Sequence, residues 1–266
     1  MTAPAARTLL DRLAPALAAE YRIERELGVG GTATVYLARD LRHARDVALK
    51  VLRPELAVAV GAERFLREIR TAARLAHPGI LPLLDSGEAD GLLWFTMPVV
   101  TGESLRDRLR RAGPLPVDEA VRLTREIAAA LAHAHARGVV HRDVKPENVL
   151  LQDGHALVAD FGIALAVEES GPERLTRTGI VVGTPHYMSP EQAAGHAALD
   201  GRSDVYALAC VCWEMLTGQA PFDGETPQAV LVQHLCDPPP ELRALRRDVP
   251  AAVESALAEA LAKRPE

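Results

Sequence analysis

Cysteine is scarce: the chain has three, Cys210, Cys212 and Cys236, in 266 residues. So sparse and odd a set supplies no disulfide framework and fits a reducing compartment. Cys210 and Cys212 lie two apart in an apolar run and read as core packing, because a metal site needs more ligands at suitable spacing. The nine histidines form no HExxH pattern and no Cys/His cluster. Positive charge is not in excess either: the formal net charge is −6, which argues against a nucleic-acid footprint. Long apolar runs are missing. A spanning helix needs about 20 residues, and the best stretch, 207–216, is too short and contains Glu214. Asp11 and Glu20 interrupt the apolar residues at the N-terminus, so no signal-peptide layout is present. A cytoplasmic location is expected.

What is present suits a soluble globular protein: 48% hydrophobic and 25% charged residues. The length allows one two-lobed domain or two small ones, with a core that needs no staples. Leu10, Leu13 and Leu17 repeat at helical spacing, so residues 7–19 are expected to form an amphipathic helix that docks on the domain, kinked at Pro15. From Tyr21 to Met97 the pattern is mostly strand-like. Tyr21–Leu27, Thr34–Arg39, Asp46–Leu52, Ile80–Leu84 and Leu92–Met97 read as strands. One helix carries Phe65, Ile69, Ala72, Ala73 and Leu75, ending at Pro78-Gly79. After a connector at Pro98–Gly102 the chain becomes helical. Val117–Arg137 is expected to stop at Gly138, where a left-handed cap is easy. Short strands are expected at Val149–Leu151 and Ala156–Val158, a loop over 163–188, and a helix over Asp204–Leu216. The sequence therefore reads as α+β: a small β-rich lobe, then a larger helical lobe, with a cleft between them as the natural ligand site.

Several motifs carry chemistry. Gly28-Val29-Gly30-Gly31-Thr32-Ala33-Thr34-Val35 lies between two expected strands. Glycines there let backbone N–H groups approach a phosphate, though a plain hairpin turn would look the same. Ala33 stands where a third glycine would complete GxGxxG, and no helix follows directly, so this is not a dinucleotide fingerprint. Val47-Ala48-Leu49-Lys50 places an ammonium among apolar strand residues, and Glu68 on the next helix could pair with it. His141-Arg142-Asp143-Val144-Lys145-Pro146-Glu147-Asn148 could be a solvated charged loop. That account leaves unexplained Asp160-Phe161-Gly162, which follows the last short strand. A hairpin can bring Asp143 and Asp160 together. Two such acids and one Asn amide oxygen make a hard-oxygen set suited to magnesium carrying phosphates.

With these motifs in order, the sequence resembles the eukaryotic-like serine/threonine protein kinases, particularly the bacterial members, from about Tyr21 to its end. Their motif set is a general template of phosphoryl transfer. The resemblance implies a kinase N-lobe over 21–97, a hinge over 98–102 and a C-lobe over 103–266, preceded by an extension over 1–20. It implies that the Gly28–Val35 loop, with Val29, Gly30 and Gly31, covers the ATP phosphates. Lys50 contacts the α- and β-phosphates and Glu68 holds Lys50. Asp143 accepts or orients the substrate hydroxyl proton, Lys145 approaches the γ-phosphate, and Asn148 and Asp160 bind magnesium, or manganese in its place. Met97 resembles the gatekeeper, the backbone of Pro98 and Val100 bonds adenine, and Ala48 and Val35 pack on the base.

Gly183-Thr184-Pro185 and Ser189-Pro190-Glu191 resemble the family's substrate loop and the motif that closes it, with Ser189 in place of the commoner Ala. Lys145 together with Thr184 is the serine/threonine pattern. Asp204 is expected to brace the catalytic loop, which is compatible with a simple N-cap role. Thr176 and Thr178 are the implied sites of autophosphorylation, with Arg142 as the partner of such a phosphate. The implied partners are proteins bearing Ser/Thr acceptors and the chain itself; a homodimer is open, and nucleic acid is not expected. The run 261–266 resembles the segment just before a late arginine that pairs with the glutamate equivalent to Glu191. The C-lobe thus reads as truncated, and Glu191 is expected to be unpaired. A longer parent chain could carry a membrane anchor. Two other readings remain: a nucleotide-binding pseudokinase or scaffold, disfavoured by the presence of Lys50, Glu68, Asp143, Asn148 and Asp160 together, and a small-molecule phosphotransferase, disfavoured by the Gly183–Glu191 pattern.

Overall fold

The structure is a computed structural model that describes residues 8–161, 185–196 and 198–264. These residues form two compact units. The first comprises described residues 8–74 and 82–99, and the second 75–81, 100–161, 185–196 and 198–264.

The first unit is built on a five-stranded antiparallel sheet: β1 (Tyr21–Val29), β2 (Ala33–Asp40), β3 (Arg45–Leu52), β4 (Asp85–Ala89) and β5 (Leu92–Pro98). Their order across the sheet is β1-β2-β3-β5-β4. The period-2 alternation of β3 decides what lies on each face. Ala48 and Lys50 share one face with their partners Met97, Val35 and Phe95. Val47, Leu49 and Val51 share the other with Tyr36, Ala38 and Trp94.

A helix covers each face. α1 (Leu9–Leu17) packs Leu13 and Leu17 into the Leu49/Trp94 cluster, with Leu9 at its margin. The Thr8 hydroxyl accepts from Asp11 N–H while the Asp11 carboxylate accepts from Thr8 N–H, a capping box that satisfies two end groups. Arg12 adds an ion pair to Asp90 at 2.8 Å. The sequence reading erred by one residue here, because Leu10 is 40% exposed. Residues four apart stack on one helix face, so the stripe is Leu9, Leu13 and Leu17.

Beyond β3 the chain makes α2 (Pro54–Val60), which the sequence reading missed although Pro54 at the first helical position signals it, and α3 (Ala62–Ala72). α3 brings Phe65 to 6.4 Å from Phe95, on the Lys50 side of the sheet. α3 stops at Ala72, so Ala73 and Leu75 lie outside it. The expected strand over Ile80–Leu84 is a single parallel bridge from Ile80 to Val158, since Pro82 has no N–H to continue a ladder.

The second unit is mostly helical. β6 (Glu103–Ser104), β7 (Val149–Gln152) and β8 (His155–Val158) form a small sheet. α4 (Leu105–Ala112) follows β6 directly, and α5 (Val117–His135) buries Ala120, Leu123, Ile127, Leu131 and Ala134 at helical spacing. The chain leaves α5 through Gly138 at φ +73. A 3₁₀ turn, Pro185–Tyr187, precedes α6 (Pro190–Ala193), α7 (Gly201–Thr217), α8 (Pro227–Cys236), α9 (Leu242–Leu245) and α10 (Ala251–Ala260). α7 is buried almost all round, Cys210 and Cys212 included, which is why it reads as a near-continuous apolar run. No described helix is long and apolar enough to cross a membrane.

Candidate active site

In the first unit the glycine-rich segment is the β1–β2 hairpin turn. Gly28 pairs with Val35, and Gly30 N–H donates to the Ala33 carbonyl at 2.8 Å. The Gly30 carbonyl accepts from Arg53 at 3.1 Å, which ties the turn to the end of β3. Among the described residues, no side chain lies within 4 Å of the place where a Cβ on Gly28 or Gly31 would stand. Ala33 is buried at the start of β2 and already paired with Leu52. Lys50 stands between Val35 and Phe95, and Ala48 between Leu37 and Met97. These residues share one face because they alternate on adjacent strands. Pro98 ends β5 opposite Val47. Glu68 is three residues beyond Phe65 on α3, therefore on the same side of the helix. It is buried, and its Oε1 accepts from the adjacent Arg67 at 2.9 Å.

In the second unit Val100 is half-buried just before β6. The loop 141–148 is anchored at its start by one carboxylate. Asp204, buried in the first turn of α7, accepts from the backbone N–H groups of His141 and Arg142, both at 2.8 Å. The Nε2 of His135, at the end of α5, lies 2.7 Å from the same carboxylate. Asp204 is therefore not the N-cap: α7 begins at Gly201, and Asp200 caps it by accepting from Arg202 N–H.

His141 is fully buried and used on every side. Its Nε2 lies 2.8 Å from the Ala159 carbonyl, its Nδ1 accepts from Asp143 N–H at 3.2 Å, and its ring meets Phe161 edge-on at 4.6 Å. This ring thus explains both the histidine before Asp143 and the phenylalanine after Asp160. Arg142 has φ +66, a left-handed conformation uncommon outside glycine. The Asp204 contact and a bond from Gln192 Nε2 to its carbonyl, at 2.8 Å, hold it there.

Asp143 faces two donors. Lys145 Nζ lies 2.6 Å from its Oδ2. Asn148 Nδ2 donates to its Oδ2 at 3.0 Å and to its carbonyl at 2.8 Å. The amide nitrogen of Asn148 is spent on Asp143, which leaves the amide oxygen as the end available to a cation. The Asn148 carbonyl accepts from Ala159 N–H at 2.9 Å. Asp160, at φ +69, comes next, so the β7–β8 hairpin sets Asn148 and Asp160 side by side on the backbone. One carboxylate and one amide oxygen are too few to cage a metal unaided but suit Mg²⁺, which is bound by one or two protein oxygens plus substrate phosphates. Among the described residues no group of three or more His, Cys, Asp or Glu side chains forms a metal cluster.

Gly162, Thr176, Thr178, Gly183 and Thr184 lie outside the described residues. Ser189 caps α6 with a capping box to Gln192. Glu191, expected to be unpaired, is not: its carboxylate accepts from the buried hydroxyl of Ser203 on α7. Sequence reasoning also missed Arg106, Glu147, Tyr187 and Glu214, which form one bonded cluster beside this loop. The available signal was Glu214, an acid inside an otherwise apolar helix, since such a charge is buried only when paired.

Comparison with known proteins identifies the family. A family model described as protein kinase domain matches residues 21–263. Serine/threonine-protein kinase PknB of Mycobacterium tuberculosis is 43% identical over 256 residues, covering 94% of this chain and 41% of PknB. Serine/threonine-protein kinase PknD of the same organism is 45% identical over 248 residues, covering 92% of this chain and 37% of PknD. The chain thus spans about two fifths of the length of these curated relatives. Among solved structures, the kinase domain of Mycobacterium tuberculosis PknI superposes with a TM-score of 0.74 at 37% identity, covering 93% of this chain and 90% of that one.

Proposed function

The chain belongs to the protein kinase domain family, and from that premise we propose that it transfers the γ-phosphoryl group of ATP to serine and threonine hydroxyls of proteins, its own included. One observation supports this reading above the others: Asp143 is held by Lys145 and Asn148 in a loop anchored on the buried Asp204. Phosphoryl transfer needs in-line positioning and charge neutralisation more than covalent chemistry.

Asp143 orients the acceptor hydroxyl and takes its proton as the new O–P bond forms and the bond to the leaving ADP oxygen breaks. A positioned base of this kind contributes about 10²–10⁴-fold. Lys145, already against Asp143, offsets negative charge on the group in transit. Asn148 and Asp160 are the residues that would hold magnesium or manganese, whose chemistry is to neutralise phosphate charge. In the first unit Lys50 contacts the α- and β-phosphates, and Glu68 holds Lys50. The Gly28–Val35 turn, with Val29, Gly30 and Gly31, lies over the phosphates. Val35, Ala48, Met97, Pro98 and Val100 take the adenine. Thr176 and Thr178 are the sites of activating autophosphorylation, Arg142 is the partner of the new phosphate, and Thr184 belongs to the peptide-receiving loop. The kinase domain itself is placed in the cytoplasm.

The test is mass spectrometry of the purified chain after incubation with ATP and magnesium, beside an Asp143→Asn control. Phosphate on Thr176 or Thr178 in the parent alone supports the reading. No phosphate in the parent, with nucleotide binding shown by a thermal shift, replaces it with a nucleotide-binding scaffold.

A further inference from the structure

Arg106, in the first turn of α4, is 16% exposed, and its guanidinium is used on every side. Nε donates to Glu147 Oε1 at 2.8 Å, and Nη1 donates to Glu214 Oε1 at 2.5 Å. Nη2 reaches Glu214 Oε2 at 3.4 Å and the Tyr187 hydroxyl. That hydroxyl also donates to Glu214 Oε2, so both oxygens of Glu214 are taken. Burial raises the Tyr187 phenol well above its ordinary range, and the adjacent Glu214 carboxylate raises it further. Burial, the largest single influence, acts to lower the Arg106 pKa, but the bonds to Glu214 and Glu147 and the neighbouring Tyr187 and Glu214 charges together outweigh it and raise it.

The three partners come from three separate segments, and Arg106 from a fourth. Glu147 is in the 3₁₀ turn between Lys145 and Asn148. Tyr187 ends the turn that follows Thr184. Glu214 is on the buried helix α7. A planar fork with five donors is the one side chain able to bridge them in fixed geometry. Two carboxylates beside a peptide-receiving loop would otherwise suit a basic side chain of the substrate, but Arg106 already fills that place from within.

We propose that Arg106 is a positioning residue that ties the catalytic loop, through Glu147, to the substrate loop, through Tyr187, and that it occupies the Glu147/Glu214 acid pair in place of any substrate cation. The proposal rests on the kinase reading of the previous subsection. It places the role of Arg106 in aligning the acceptor peptide.

The test measures kcat and KM, for ATP and for two acceptor peptides, in the parent chain and in Arg106→Gln, Arg106→Lys and Tyr187→Phe. One peptide carries arginines beside the acceptor serine and the other alanines in their place. Misplacement of the acceptor by about 1 Å predicts a fall of about 100-fold in peptide kcat/KM for Arg106→Gln. The fall should be the same for both peptides, with KM for ATP unchanged. Tyr187→Phe should fall less, and Arg106→Lys should recover part of the loss. Should Arg106→Gln fail to fold, Tyr187→Phe and Arg106→Lys carry the test, since both keep the positive charge. Parent-like kcat/KM in these two variants would overturn the proposal. So would a gain in Arg106→Gln confined to the arginine peptide, which would make the acid pair a substrate subsite. A parent chain that phosphorylates neither peptide would instead overturn the kinase reading, so the two failures are distinct.

Discussion

Gly201 and His135 are packed so closely that a Cβ on Gly201 would stand 2.5 Å from the imidazole Nδ1. The other ring nitrogen lies 2.7 Å from Asp204, so the ring cannot swing aside without leaving the carboxylate that holds the catalytic loop. Gly201→Ala should therefore destabilise the chain by about 1–3 kcal/mol, the usual cost of overpacking. Adding His135→Ala removes the clash, and the two costs should be clearly less than additive. Urea midpoints of the two single variants and the double variant check this.

Asp204→Ala leaves the N–H groups of His141 and Arg142 without their acceptor in a buried place. Each such orphan costs about 1–3 kcal/mol. The Arg142 backbone, held at φ +66, should relax once released. Hydrogen exchange at amides 141 and 142 should accelerate strongly, and phosphotransfer should fall with it. Asp204→Asn keeps one acceptor oxygen and should show a smaller effect on both.

His234 is fully buried on α8, with its Nδ1 2.9 Å from the Tyr206 hydroxyl and its ring edge-on to Phe222 at 4.8 Å. Burial first, then the positive charges of Lys263 and His186, pull its pKa down to about 4. Its ordinary value is 6.5, so above pH 6.5 both the folded and unfolded forms are neutral and nothing is lost. As pH falls from 6.5 towards 4, the unfolded chain takes up a proton that the folded chain refuses. About 3 kcal/mol of stability should disappear across that window. His234→Gln should flatten the dependence of the urea midpoint on pH by one proton between pH 6.5 and 4.

Leu13 is 0% exposed and Leu10 is 40% exposed, although both belong to the same short helix. Leu13→Ala should cost about 2–5 kcal/mol through the cavity it leaves against Leu49 and Trp94. Leu10→Ala should stay within about 0.5 kcal/mol. Thermal melts of the two variants separate a docked helix from one merely present in the chain.

Gly102→Ala should be severe, since the added carbon would lie 1.7 Å from the Leu151 carbonyl oxygen, a backbone atom that cannot rotate away. The pairing of Glu103 with Leu151 should open, at about 1–3 kcal/mol or more. Loss of amide protection at β6 and β7 in hydrogen exchange checks it.

Much of this molecule was legible from neighbours in sequence. The alternation around Lys50 placed β3 and its two faces, because a strand puts successive side chains on opposite sides whatever lies around it. α5 ended as its glycine implied. The short strands around Asp153-Gly154 formed a hairpin whose turn residues take positive φ, at +51 and +80. The motif residues from His141 to Asn148 were recognisable by type and order. The strand proposed for Ile80–Leu84 failed at Pro82, a signal present in the sequence but outweighed by its apolar neighbours. The helical stripe of α1 slipped by one residue because Leu9 and Leu10 fit the period equally well.

Sequence alone thus determined which chemical groups the chain carries and the local elements that present them, since both depend on residues a few positions apart. Tertiary structure decided the partners. Asp204 meets His135, 69 positions away, and Ser203 stands where Glu191 needed a donor. Arg106 reaches Glu214 across 108 positions. No periodicity encodes such pairs. Buried charges and N–H groups must find acceptors once water is excluded, and only the packed fold determines which ones lie within reach.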